Sequence, residues 1–454
     1  MAGNLTDGLK SAVPSSVILQ SVTIFNHKGV EYEISDLVTQ IKIRESLYFP
    51  SLVFDMNVVE AVNFFEEFEI IGQEKVQIRF QKTPNVEGAE EQLFFYEFFV
   101  TEYPAFMKDA KAQSQKYVIR GISEFAYVSN FKKISRSYNS NAGTEIQRIM
   151  TKDLKFSEEN FRILGLEKSF HRGIINIQSP MSAIHYFKNT AYDEYGAPFY
   201  FYQSIDGNVY FSSMSFLISD NNLKYNDYEY LSGFTELPET EEDYIERAKR
   251  ITDLTSEIQL SKMFQASNGA YASKNRFLDF TTKTYTDKLY KYNERIYEPI
   301  NKKKSLSTEF LVGDETEALP MSDLYDVHHE YVSINSGAYG KNLNYSSNLK
   351  LGIEKLNAYS ELFSTFKQEF NLSGDFNLKV GTKIGLVFPK AIDFEVYKES
   401  KNIRTDDLDH IDKHISGDYL ITSVNHSFKK DVTGLTMNHT CEILANKDSL
   451  TVDI

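Results

Sequence analysis

The alternation of apolar and polar positions is clearest between residues 370 and 444. Four runs there, Phe370–Leu378, Val380–Phe388, Asp418–His426 and Met437–Leu444, alternate or concentrate β-branched and aromatic residues between glycine, asparagine and aspartate. Such runs predict antiparallel strands that close a compact sheet or small barrel. A second copy of the pattern lies nearer the N-terminus. Lys75–Phe80 matches Lys383–Phe388 position by position, each after a glycine, Gly72 or Gly381. Phe99–Thr101 then matches Leu420–Thr422, and Phe106–Asp109 matches Phe428–Asp431. An apolar strand follows in both copies, Tyr117–Arg120 and His439–Ile443. Order and spacing recur together, with one-residue slips at the turns, which predicts a duplicated β-module.

The rest of the chain is arranged around these copies. Residues 1–16 read as a flexible polar arm, and 17–128 as the first β-domain, with a turn at His27-Lys28-Gly29 and an element ended by Pro50. Residues 129–235 read as an inserted α+β domain. Thr144-Glu-Ile-Gln147 has the form of a capping box that opens a helix through Met150. Ser179-Pro180 starts a second helix, whose Ile184, Phe187, Ala191 and Tyr195 fall on one face. Asp206-Gly207 between two aromatic runs signals a hairpin. Residues 236–287 read as a linker and the start of the second β-domain, extended over 256–286, and 288–348 as an irregular excursion. Residues 349–446 hold an amphipathic helix (Leu349, Ile353, Leu356, Tyr359 or Ser360, Phe363, Phe366) and the remainder of that domain, and 447–454 form a tail. The long charged loop from Pro389 to Gly417 has a length that inside a domain marks function or disorder. The fold class is therefore α+β and β-rich: two similar antiparallel β-barrel domains, an inserted α+β domain and surface excursions.

Composition narrows the functions. The 454 residues suffice for several cores. A net charge of −15 argues against sequence-independent duplex binding, which needs a phosphate-neutralising surface. The first residues show no basic start and no apolar core of a secretory signal. The most apolar run, Leu93–Val100, is interrupted by Glu97 and far too short to span a bilayer. With Cys441 as the single cysteine, no intrachain disulfide can form, and its place in an alternating strand reads as a small core hydrophobe. A soluble protein made in a reducing cytoplasm is the expectation.

Three local signatures carry a resemblance to a known family. Arg44-Glu-Ser-Leu-Tyr48 in an early strand is similar to the family's first-domain motif, and Ser336-Gly-Ala-Tyr339 to its Ser-Gly-Ala-Tyr segment. Gly374-Asp-Phe-Asn-Leu378 resembles its Gly-Asn-Phe-Asn-Leu strand, with Asp375 in place of Asn. The family is the central baseplate hub protein of long contractile-tailed bacteriophages, related to the hub part of type VI secretion spike proteins. The resemblance covers roughly residues 18 to 446, and the chain departs from the family in longer excursions near 288–335 and 389–417. It implies two tail-tube-like β-domains per chain and a homotrimeric ring of pseudo-sixfold symmetry, which joins a hexameric tail tube to a trimeric cell-puncturing spike around a DNA channel. Implied partners are a second and third copy of the chain, the spike protein trimer, the tail tube protein or a tube-initiator ring, baseplate wedge components and the tape measure protein. The implied location is the virion tail baseplate, after assembly in the host cytoplasm. No cofactor, no catalysis, no sequence-specific nucleic-acid binding and no membrane span are implied. An acidic lumen would keep passing DNA from adhering.

Candidate chemistry is sparse. His410 and His414 lie four apart in Asp406-Asp-Leu-Asp-His-Ile-Asp-Lys-His414, a helical spacing that could hold a divalent ion. A metal site needs further converging ligands, so the segment reads instead as a solvated partner interface built of Asp406, Asp407, Asp409, His410 and His414. His328-His329-Glu330 suits a surface or interface role. Glu66-Glu67 and Glu241-Glu242 are the acid pairs a glycosidase would use, but abundant acids are mostly surface, and no Trp offers a sugar platform. Gly337-Ala-Tyr-Gly340-Lys341 lacks the spacing of a phosphate loop and reads as a turn. No Ser-His-Asp or Cys-His arrangement stands out. The reading is a structural tail adaptor without catalysis. The alternatives are a tail-associated cell-wall hydrolase (glycosidase or peptidase) and a host-glycan-binding tail module.

Overall fold

Alternating burial organises the strands in the computed structural model, which describes residues 16–82, 92–109, 113–230, 248–251, 253–258, 262–280, 282–291, 300–301, 309–310, 319–320, 328–334, 359–361, 363, 365–390, 411–431, 434 and 436–449. The N-terminal strands are β1 (Ser16–Phe25), β2 (Glu31–Glu33), β3 (Val38–Ser46), β4 (Val53–Glu60), β5 (Lys75–Lys82), β6 (Gln92–Asp109) and β7 (Ser114–Ser123), with the short helix α1 (Phe64–Glu67) before β5. On β3 the inward positions are Ile41, Ile43 and Glu45, and on β4 they are Phe54, Met56, Val58 and Glu60. Neighbouring residues of a strand face opposite ways, so Arg44 points outward, where it bonds Asp55 of β4 at 2.6 Å. Arg120 of β7 reaches the same carboxylate at 2.6 Å, and this outward ladder links three strands. The turn at His27-Lys28-Gly29 is present, with Gly29 at φ 77°.

The chain then leaves the sheet through α2 (Glu124–Ser129) for a region with its own core. It contains β8 (Ile134–Ser140), α3 (Ala142–Arg148), β9 (Phe161–Leu164), β10 (His171–Gln178), α4 (Pro180–Thr190), β11 (Phe199–Gln203), β12 (Val209–Ser213) and α5 (Met214–Ile218). β8 pairs with β10, while β11 and β12 form the hairpin signalled by Asp206-Gly207, and β9 joins parallel to β12. Ile184, Phe187 and Ala191 are buried, as their spacing predicts, among Ile146, Phe199 and Phe211. Ser179 caps α4 by accepting from the Ser182 N–H at 3.3 Å. Thr144 does not open the helix: α3 begins at Ala142, and its first amides donate to the Glu167 carboxylate, Ala142 and Gly143 each at 2.8 Å. A distant carboxylate does the work of the local cap.

The chain returns to the large sheet earlier than composition suggested, through β13 (Lys224–Tyr230). β14 (Arg250–Ile251) and β15 (Leu254–Ile258) follow. A helix at Lys262–Ser267 interrupts the stretch read as extended, before the hairpin of β16 (Ala272–Asp279) and β17 (Thr284–Lys291). The excursion after it holds a small pair, β18 (Glu309–Phe310) with β19 (Leu319–Pro320), and β20 (His328–Ile334), which runs parallel to β16. Most of the helix expected over 349–366 lies outside the described residues. Residues 359–361 and 363 are helical, but Phe366 already opens a strand. The last strands are β21 (Phe366–Ser373), β22 (Lys383–Val387), β23 (Gly417–Lys430) and β24 (Met437–Lys447).

Two five-stranded sets share one order. Hydrogen bonds link β3-β4-β7-β6-β5 in the first and β15-β21-β24-β23-β22 in the second, antiparallel at every step. Register agrees as well: Lys75 lies opposite Phe99, and Lys383 opposite Leu420, the positions matched in sequence. The second register shift of β6 against β7, between Glu102 and Ala105, has no counterpart in β23 and β24. The two sets are not separate sheets. β23 also pairs with β3, and β24 with β1, so both sets belong to one 14-stranded sheet.

Two cores line this sheet. One gathers Phe54, Met56, Ile78, Phe80 and Phe98 around Phe428 and Met437. The other gathers Phe366, Phe370, Leu420, Ile421, Cys441 and Ile443 with Tyr200 and Met214 from the inserted region. β23 and β24 therefore feed different cores at their two ends. No helix among the described residues is long and apolar enough to cross a membrane.

Candidate functional site

The alternation that buries Ile41 and Ile43 also turns Glu45 inward, to 1% exposure. A buried carboxylate needs donors, and two backbone amides supply them. The N–H of Ile205, in the β11–β12 turn, donates to Oε2 at 2.7 Å, and the N–H of Val380, before β22, donates to Oε1 at 2.9 Å. Glu45 thereby ties the first strand set, the inserted region and the second strand set at one point. Beside it, the Lys379 ammonium bonds the Asp206 carboxylate at 2.7 Å. Burial raises the Asp206 pKa, but the hydrogen bond and charge of Lys379 outweigh that and hold it below the ordinary value. Gln203 adds another tie, its side-chain oxygen accepting from the Leu52 N–H at 3.1 Å.

Next to Glu45 lies a buried group of two imidazoles and a thiol. His439 and Cys441 are two apart on β24 and so share its inward face, and His426 of β23 stands opposite Cys441. His426 Nδ1 is 3.1 Å from His439 Nε2, and Cys441 Sγ is 3.4 Å from the first nitrogen and 3.6 Å from the second. The other ring nitrogen of His426 faces Glu45 Oε1 at 3.6 Å. Phe428 stacks on His439 with centroids 4.3 Å apart, and Phe376 lies 4.8 Å from the same ring. Burial pushes the His426 pKa down, but the Cys441 sulfur and the Glu45 carboxylate beside it prevail and raise it to about 10. His439 is held well below its ordinary value by burial and by the neighbouring His426. Among the described residues this is the group whose side chains converge as metal ligands do.

The turn beneath this group corrects one expectation. Gly374–Leu378 is not a strand: β21 stops at Ser373, and the chain turns under the His439 ring. A Cβ on Gly374 would lie 2.1 Å from His439 Cγ, so glycine is required for the close approach. The Asp375 side chain holds the turn by accepting from the Asn377 N–H at 3.0 Å.

Asp406, Asp407, Asp409 and His410 are outside the described residues. The His414 side chain is exposed, while its backbone is structural. The carbonyls of His414, Ile415 and Ser416 receive the buried Lys447 ammonium at 2.7, 3.0 and 2.8 Å. Glu66 and Glu67 are exposed on α1. Glu241-Glu242 and Gly337–Lys341 are outside the described residues, and His328-His329-Glu330 begins β20. Reading Cys441 as a packing residue missed its two histidines. The available signal was His439-Thr-Cys441, a same-face spacing on a strand, with His426 in the preceding strand.

No family model matches the sequence, and no curated protein matches it. Solved structures do match. The tail protein from Neisseria meningitidis MC58 superposes with a TM-score of 0.52 at 9% identity, covering 94% of this chain and 96% of that one. The 43 kDa tail protein of prophage MuSo2 from Shewanella oneidensis gives 0.49 at 12% identity, covering 96% and 99%. An E. coli component of the type VI secretion system gives 0.43 at 8% identity, covering 95% and 76%. The first of these is a tail protein, the kind to which the sequence signatures pointed. With the first of them the chain shares its fold across nearly its whole length.

Proposed function

We propose that this chain is the structural hub of a contractile phage tail, a trimeric ring that joins a sixfold tube to a threefold spike. One observation supports the reading above others: two five-stranded sets of the same order and register lie within one chain that has the fold of a tail protein. Three chains carrying two such sets each present six similar positions, which is what an adaptor between threefold and sixfold partners requires. A closed ring also covers strand edges that would otherwise invite aggregation. The net charge of −15 per chain suits a channel through which DNA passes without adhering. Spike trimer, tube or tube-initiator ring, wedge components and tape measure protein are the partners of such a hub, and the virion baseplate is its place.

The test is the mass of the purified protein by light scattering, followed by electron microscopy of the same sample. A species of three chains with a central hole is expected. A lone monomer at high concentration would overturn the proposal.

A further inference from the structure

We propose that His426, His439 and Cys441 bind a zinc ion, taken up as the chain folds, which pins β23 and β24 at the point where the two cores meet. Zinc bound at about 2.0–2.1 Å to nitrogen and about 2.3 Å to sulfur places its tetrahedral ligands about 3.3 Å apart for two nitrogens and about 3.6 Å for nitrogen and sulfur. The three separations here, 3.1, 3.4 and 3.6 Å, fall within a few tenths of those edges. The donor set of two imidazoles and a thiol selects zinc-class cations over magnesium or calcium. The Asp375 carbonyl oxygen accepts from the Cys441 thiol at 3.8 Å.

Two observations around the group favour a ligand over a closed hydrogen-bonded cluster. His426 Nε2 is fully buried and points away from the group, toward Glu45 Oε1 at 3.6 Å, so Nδ1 is the nitrogen that faces His439 and Cys441. A carboxylate behind the outer nitrogen of an imidazole is the arrangement that orients a metal-binding histidine. The backbone also makes room for the group: glycine at position 374 is what lets the His439 ring occupy its place. On binding, the Cys441 thiol gives its proton to solvent and its sulfur becomes a ligand. All three residues are buried, so the ion enters during folding rather than afterwards.

The experiment uses the full chain, unfolded in guanidinium with chelator and refolded with zinc, with cobalt, or with neither. The expected result is about one zinc per folded chain by mass spectrometry after desalting, a higher melting temperature than the metal-free sample, and a thiolate-to-cobalt absorption band. Cys441→Ser and Cys441→Ala should lose both the metal and the band. Wild-type protein that folds in excess zinc yet holds less than about a tenth of an equivalent would overturn the proposal. Equal zinc in the folded cysteine variants would overturn it too.

Discussion

Thr101 and Thr422 are the extra residue of the same bulge in two different strand pairs. Each interrupts the register at a matching step, between Val100 and Glu102 in β6 and between Ile421 and Ser423 in β23. Each hydroxyl donates to a carbonyl of the neighbouring strand, Thr101 to Arg120 at 3.3 Å and Thr422 to Leu444 at 3.1 Å. Regular alternation recurs in unrelated sheets, but a bulge at one step with one side-chain bond is a specific feature. It ties the two strand sets together more firmly than their apolar patterns do.

The two threonines should respond unequally to removal. Thr422 is fully buried and Thr101 exposed, so water replaces only the second bond. Thr422→Val is expected to cost about 1 kcal/mol, and Thr101→Val well under that, read as shifts of the thermal midpoint. Equal shifts would show that burial does not set the value of the shared bond.

Replacing Glu45 tests the junction. Glu45→Ala strands the amides of Ile205 and Val380 in the interior and removes the carboxylate facing His426. A loss of about 3 to 5 kcal/mol is expected in denaturant titration. Glu45→Gln keeps one acceptor oxygen and should lose less. A Glu45→Ala protein as stable as wild type would remove the junction's importance.

Gly374→Ala should be poorly tolerated for steric reasons, because the new methyl would meet both ring and backbone of His439. Overpacking of this kind costs about 1 to 3 kcal/mol. Its φ is not in the left-handed region, so a shift in melting temperature reports the clash alone.

Acid should weaken the inserted region through His171. This ring is fully buried against Phe187, and burial lowers its pKa to about 4. The unfolded chain takes up the proton near the ordinary value of about 6.5, before the folded chain does. Stability is therefore complete above about pH 6.5 and falls as the pH drops from there to about 4, by on the order of 3 kcal/mol. His171→Phe should flatten that part of the curve of melting temperature against pH. A slope unchanged by the substitution would assign the effect to other groups.

Local pattern determined much of this protein by itself. Alternation located β5, β22, β23 and β24, the Asp206-Gly207 pair located its hairpin, and Ser179-Pro180 located the start of α4, because each depends on residues a few positions apart. It also misled where geometry is not local. Phe376 and Leu378 alternate like strand residues, yet the chain turns there because the His439 ring occupies the space next to Gly374. Pairing of β3 with β23 joins residues some 380 positions apart, and no short-range signal encodes which edge meets which. The same holds for the candidate site. Glu45 is legible as an inward position, and His439 and Cys441 as neighbours on one face. That His426 closes the triangle, and that Ile205 and Val380 bring their amides to Glu45, was decided only when two cores and an inserted hairpin packed against one another and buried polar groups had to find partners there.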